Sequence, residues 1–240
     1  MTQYYYASDV GCVRSHNEDS CLALPEKQLY AVADGMGGQA AGEVASSLLV
    51  EALREKLLSA EGSLGEEELR QAVLHANNSI LGEVRLHPER RGMGTTATVL
   101  HLEEGLALWA HVGDSRLYLY REGSLRQITR DHSYVEGLVS RGELTEEEAR
   151  NHPQRNMLLR AVGVEQGLQV DTGSFPLQQG DMLLLATDGL MNMVEEDAIV
   201  EILREAREHG AGQDPARQLV QRALAAGGSD NVTVIVVVYS

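Results

Sequence analysis

Long apolar runs are missing from this chain: no stretch approaches the roughly 18 uninterrupted apolar residues that a membrane-spanning helix requires. The N-terminus has no basic region followed by an apolar one, so no secretory signal is expected. Cysteine is scarce. Cys12 and Cys21 make neither a disulfide framework nor a zinc-ligand pattern, which points to a reducing, cytoplasmic setting. Positive charge is short as well, with 20 Lys and Arg against 36 Asp and Glu and a net charge of −16. Such a surface repels nucleic-acid backbones and anionic lipid, so neither is expected as a partner. Lysine occurs only as Lys27 and Lys56, outside any glycine loop, and a phosphate-binding P-loop is thereby excluded. Repeats and low-complexity linkers are absent too. One domain over residues 1–240 is therefore expected, with 43% hydrophobic residues to fill its core.

What is present follows a plain order. Tyr4–Asp9, Cys21–Leu24 and Gln28–Ala33 read as strands. Helical periodicity runs from about Gly38 to Ser59 and again from Glu66 to Leu86, and two helices in succession predict an antiparallel pair. "TTATVLHL", "GLALWAHV", "RLYLYR" and "SLRQIT" are broken by Glu-Gly, Gly-Asp and Glu-Gly, which predicts one meander of hairpins. From Tyr134 to Gly167 the chain is charged and irregular, with a T-x-x-E capping box at Thr145 and Glu148 marking a short helix. "DMLLLAT" reads as a buried strand. Glu195–Glu208 and Pro215–Ala226 read as helices, the latter with Asp214 as N-cap, and "NVTVIVVVY" closes the chain as a strand. Strands and helix pairs segregated in this way predict an α+β fold, antiparallel sheets packed together with helices on the outer faces.

Four acids flank the most apolar strands: Asp34 in "LYAVADGMGG", Asp114 in "AHVGDSR", Asp188 in "LLLATDGL" and Asp230 in "GGSDNVTVIV". Each alone is an ordinary turn residue. If the sheets bring these ends to one rim, the carboxylates repel one another unless a cation sits among them. Oxygen-only donors suit Mg²⁺ or Mn²⁺. Glycine after Asp34 and Asp188 leaves the backbone open to close approach. Gly35, Gly37 and Ala40 also fit the dinucleotide fingerprint G-x-G-x-x-A. There, however, Asp34 would face a pyrophosphate unscreened, and the element that follows is a helix where a parallel strand is needed. The turn "RSHNEDS" adds Arg14, whose planar fork matches phosphate oxygens, beside Glu18 and Asp19, with which it could instead form a surface ion pair.

With these residues in view the chain resembles the metal-dependent type 2C protein serine/threonine phosphatases in their compact bacterial form. "RSHNEDS", "VADGMGGQAAGEVAS", "GMGTTATV", "HVGDSRLY", "RDHS", "LLLATDGL" and "SDNVTVIVV" occur in order along nearly the whole length. The resemblance implies a four-layer αββα sandwich, two antiparallel sheets flanked by helix pairs, with a flap at about 134–167. It implies a core site of two Mn²⁺ or Mg²⁺ ions, bridged by Asp34. The Gly35 carbonyl would hold one, Asp188 and Asp230 the other, and Asp19 would act mostly through water. A third, weaker ion would sit at Asp114, and Arg14 would bind the substrate phosphate. The implied reaction is attack of a metal-bridging hydroxide on phosphoserine or phosphothreonine without a phosphoenzyme.

One departure concerns the leaving group. Eukaryotic relatives place a histidine after the Asp-Gly pair; here that position is Met36, and Gln39 follows the glycines, so the general acid is unknown and metal-bound water is the first choice. His16 reads as an exposed loop residue. Phosphorylated proteins made by a serine/threonine kinase are the expected partners, with no nucleic acid, no membrane in this chain, and a monomeric state. Because some bacterial relatives continue into a membrane anchor, the chain is expected to be soluble or a catalytic fragment. The alternatives are a phosphoesterase of the same fold acting on a small molecule, and a non-catalytic regulator that binds phosphoproteins.

Overall fold

The computed structural model describes residues 2–37, 41–60, 62–209 and 213–240. Its layers follow from two-sided burial of the central strands. In β3 (Leu29–Met36), Leu29, Ala31 and Ala33 pack against α1 (Ala41–Leu58) and α2 (Glu66–Leu86). Tyr30 and Val32 point the other way, into a core shared with Leu183 and Leu185 of β10 (Met182–Ala186). The opposite face of β10, with Met182, Leu184 and Ala186, packs toward α6 (Glu196–His209) and α7 (Pro215–Ala225). Side chains alternate along a strand, so a strand covered on both faces is apolar at every position. Each fully buried Leu or Val here contributes roughly 1.5–3 kcal/mol.

One sheet runs β1 (Gln3–Asp9), β11 (Val232–Val238), β10, β7 (Arg116–Arg121), β8 (Ser124–Gln127). The other runs β2 (Asp19–Leu24), β3, β5 (Ala97–Glu103), β6 (Leu106–Val112), β9 (Asp171–Pro176), with the short β4 (Gly94–Thr95) paired to β3. Every one of these pairings is antiparallel. Helix pair, sheet, sheet, helix pair is the four-layer α+β sandwich that the family resemblance implies.

The expected meander is instead two hairpins in different sheets. β5 and β6 belong to one, β7 and β8 to the other, so the Gly-Asp break is a crossover. β7 is also buried on both faces: Leu117 and Leu119 enter the core between the sheets, Tyr118 and Tyr120 the core under α6 and α7. Pairing with β6 would have kept it out of the second sheet. Gly113 permits the crossover, since its φ is +108° and a Cβ there would lie 2.6 Å from the Thr96 side chain.

Segment 134–167 is more regular than its sequence suggests. It holds α3 (Tyr134–Ser140), capped by Ser133, besides the expected short helix α4 (Glu146–Arg150) under its Thr145–Glu148 capping box. β9 carries no apolar alternation and is not expected from sequence; its Gly173 lies where a Cβ would come 2.6 Å from the Trp109 ring. The helix expected from Gly38 starts at Ala41 among the described residues, and Gln39 and Ala40 lie outside them. No helix among the described residues is long and apolar enough to cross a membrane.

Candidate functional site

Asp34 lies within β3 rather than after it, in register with Asp19 at the start of β2. Its main chain is fully engaged. The N–H donates to Thr96 Oγ1 at 2.8 Å, and the carbonyl accepts from the Thr96 N–H and from Thr95 Oγ1, both at 2.9 Å. Only the carboxylate remains to act. The Gly35 N–H donates to the Glu18 carbonyl at 3.1 Å, and a Cβ on Gly35 would fall 2.2 Å from the Gly42 carbonyl oxygen. Glycine is needed there because β3 passes between α1 and the turn before β2.

The other sheet supplies the facing groups. β10 ends at Ala186, and Asp188 is the first residue of α5 (Asp188–Met191) rather than a strand end. Between them Thr187 stitches the two sheets together. Its hydroxyl donates to Asp19 Oδ2 at 2.8 Å and accepts the Thr233 N–H at 2.9 Å. Asp230 stands just before β11 and takes Arg14 Nη2 on its Oδ2 at 2.8 Å. Next to it, the buried Asn231 fastens the Arg14 turn. Its Nδ2 donates to the Val10 and His16 carbonyls, both at 2.9 Å, and its Oδ1 accepts the Glu18 N–H at 2.8 Å.

The carboxylates feel one another strongly. Burial pushes Asp19 up to about 7, against hydrogen bonds from Thr233 and Thr187 and with help from the charges of Asp188 and Asp230. Burial, then the charges of Asp19, Asp188 and Asp114, hold Asp34 well above the usual carboxylate range. Burial and Asp188 push Asp114 up to about 8. Asp188 is raised by burial, then by the charge of Asp230, against hydrogen bonding from Asn192. Thus Asp19, Asp34, Asp114, Asp188 and Asp230, drawn from both sheets, meet at one rim, and Arg14 reaches it through Asp230.

Asp19 Oδ1 is buried with no hydrogen-bond partner, an expensive state for a carboxylate oxygen unless a cation meets it. The donors are all oxygen, the chemistry that Mg²⁺ and Mn²⁺ select. Among the described residues no three Asp, Glu, His or Cys side chains already close into a ligand cage. An open rim of this kind suits an ion that keeps several waters.

From Asp114 and Asp188 a cleft of about 320 Å³ leads outward, walled by Arg116, Asp131 and Asn192 and by Glu136, Arg150 and Arg155 of segment 134–167. A second hollow of about 550 Å³ shares Arg116, Arg150 and Arg155 with it and reaches Asp230. Arg116 is held by Asp131 through Nε and Nη2, at 2.7–3.0 Å. Thr187, Thr96, Asn231, Arg116 and Asp131 all shape this rim, yet sequence reading assigns none of them a role. Adjacency to the acids signals Thr187 in "ATDG", Asn231 in "SDN" and Arg116 in "GDSR", whereas Thr96 and Asp131 have no site acid beside them in sequence and reach the rim only through the fold.

A family model described as protein phosphatase 2C matches residues 13–225. The chain is 40% identical to the serine/threonine phosphatase stp of Listeria monocytogenes, over 97% of this chain and 94% of that protein. It is 41% identical to the serine/threonine protein phosphatase PstP of Mycobacterium tuberculosis, over 98% of this chain but only 45% of that longer protein. The crystal structure of M. tuberculosis PstP superposes with a TM-score of 0.91 at 40% identity, covering 100% of this chain and 99% of that one. The PstP catalytic domain solved with two manganese ions superposes with a TM-score of 0.88 at 38% identity, covering 98% and 97%.

Proposed function

The chain belongs to the protein phosphatase 2C family, and on that premise we propose how its rim of carboxylates serves a metal-dependent serine/threonine protein phosphatase. One observation carries the reading. Five carboxylates from two sheets crowd one rim, with a buried Asp19 oxygen that has no partner. Asp34 would serve both cations of a core pair, the Gly35 carbonyl one of them and Asp188 and Asp230 the other, with Asp19 acting mostly through water. Asp114 and Asp188 would hold a third, weaker ion. When bound, the cations supply Lewis acidity and an activated water for in-line hydrolysis at phosphorus. Two manganese ions in the PstP catalytic domain support the core pair.

The chain's own residues bind, orient and shield. Arg14 receives the substrate phosphate; only Nη2 of its fork is bonded to protein among the described residues, and the side chain is half exposed. Thr187 and Asn231 hold Asp19 and the Arg14 turn in place. The leaving oxygen takes its proton from water. His16 is exposed, and His111 and His132 are buried behind the Asp114 crossover. Residues 1–240 act as one catalytic domain in monomeric form, with 134–167 as a flap beside the cleft. The substrates are phosphoproteins made by a serine/threonine kinase.

The test is hydrolysis of a phosphothreonine peptide and of p-nitrophenyl phosphate, with EDTA and then with Mn²⁺ or Mg²⁺, beside calorimetric Mn²⁺ titration. Both substrates should turn over only with the cation, and the protein should bind at least two ions. Turnover of the small phosphate alone would favour a small-molecule phosphoesterase. Peptide binding without turnover would favour a non-catalytic regulator.

A further inference from the structure

The stretch Thr129–Ser133 includes the "RDHS" motif and runs beside the crossover that carries Asp114. Thr129 Oγ1 accepts the Leu117 N–H at 3.0 Å, Asp131 holds Arg116, and the Arg130 carbonyl lies 3.1 Å from His111 Nε2. His132 engages the residue before Asp114 on both sides. Its backbone N–H donates to the Gly113 carbonyl at 2.7 Å, and its Nδ1 accepts the Gly113 N–H at 3.2 Å. Accepting at Nδ1 leaves the ring proton on Nε2, which faces Asp171 Oδ2 at 3.1 Å. Asp171 Oδ1 in turn accepts from Arg160 Nη1 at 2.9 Å. The His132 carbonyl accepts the Leu159 N–H at 2.7 Å, so the returning end of segment 134–167 hangs on the same residue.

This matters because Gly113, at φ +108°, is the most permissive pivot in the crossover. Asp114 is pressed by the charge of Asp188 and itself acts on Asp34. A turn free to rotate would swing its carboxylate away from them. We infer that His132 is a positioning residue for Asp114, clamping both main-chain groups of Gly113 and tying that turn to the returning end of segment 134–167. The inference rests on the reading of Asp114 as the holder of an outer cation.

Two near-isosteric variants separate the contacts. His132→Asn keeps an acceptor where Nδ1 meets Gly113, whereas His132→Gln keeps a polar group where Nε2 meets Asp171. These variants, His132→Ala and Asp114→Ala are compared by calorimetric Mn²⁺ titration, by Mn²⁺ dependence of turnover and by thermal melting. His132→Gln and His132→Ala should weaken the outer, weaker Mn²⁺ binding by roughly tenfold or more and follow Asp114→Ala, while His132→Asn stays within about threefold of the parent. Lowered melting with an unchanged Mn²⁺ isotherm in all three would make His132 merely structural and overturn the inference. So would a parent-like His132→Gln beside a defective His132→Asn. If Asp114→Ala itself leaves the isotherm unchanged, the outer-cation reading falls and takes this inference with it. A changed isotherm for Asp114→Ala beside unchanged His132 variants removes His132 alone.

Discussion

Asp19 and Asp34 face each other in register across the β2–β3 ladder, two buried-edge carboxylates on adjacent strands. Like charges in that position destabilise a sheet. Asp34→Asn removes one of them, so in EDTA at pH 8.5, where Asp19 is ionised, the variant should melt higher than the parent. A gain of ~1 kcal/mol would raise Tm by about 2–4 °C in a chain of this size. With Mn²⁺ present the order should reverse, and kcat should fall by roughly a hundredfold or more, because a pre-organised charge has been lost. Differential scanning calorimetry in EDTA and in Mn²⁺ checks both halves. A lower Tm in EDTA would contradict the mutual repulsion of these acids.

Stability of the chelated protein should fall as pH rises. Asp19 and Asp114 are pushed up to about 7 and about 8 in the folded protein, from an ordinary value near 3.8. Between those limits the folded state binds more protons than the unfolded one, so each unit of pH costs stability. The contribution is complete below the unfolded value and lost as pH passes through the folded one. Melting in EDTA at pH 5.5 and 8.5 should show the higher Tm at 5.5. Mn²⁺ should stabilise more at pH 8.5, since binding must displace those protons. A Tm in EDTA that rises steadily over this window would refute the assignment.

Arg14 should matter for phosphate more than for cations. A hydrogen bond to a charged group is worth roughly 1.5–3 kcal/mol, so Arg14→Ala should lower kcat/KM by about ten- to a hundredfold. Lysine should restore only part, lacking the fork. The pair partner is Asp230, not Glu18 or Asp19, so a purely structural Arg14 would show itself as altered Mn²⁺ affinity in the alanine variant. Steady-state kinetics at saturating Mn²⁺, with inorganic phosphate as inhibitor, distinguish the two. Unchanged KM, kcat and phosphate inhibition would remove Arg14 from the site.

Asn231→Ala deletes three hydrogen bonds at once from a buried side chain. Leaving those backbone groups unmet should cost on the order of 2–4 kcal/mol. The loss should appear as a lower urea midpoint with an unchanged slope. KM should rise as well, because the freed segment carries Arg14. A variant of parental stability would mean that other contacts hold the turn.

How much of this was legible from sequence depends on the range of the interaction. Local patterns predicted α2, α7 with its Asp214 cap, and α4 with its Thr145–Glu148 box, because caps and helical periods are set within a few residues. The strand-flanking acids Asp34, Asp114, Asp188 and Asp230 stood out against apolar neighbours for a similar reason. α3 and β9 were hidden. α3 lies in a charged segment and is started by a single Ser133 cap, and β9 is held by its partner β6 rather than by any apolar pattern of its own.

By itself the sequence determined, from strands and helix pairs segregated along the chain, that antiparallel sheets pack together under outer helices, and that acids stand at the ends of the most apolar strands. Hydrophobic burial and side-chain alternation act on every copy of such a pattern, so these features survive without coordinates. Only the tertiary structure decided that the Gly113 break crosses between sheets instead of turning a hairpin, since a glycine with positive φ serves either path and packing of β7 makes the choice. It also decided which polar groups meet. Thr187 and Asp19 stand 168 residues apart in the chain yet 2.8 Å apart in space, and no local rule links them. Such pairings arise when the ends of two sheets close on one another, which excludes water and obliges each buried polar group there to find its partner across the gap.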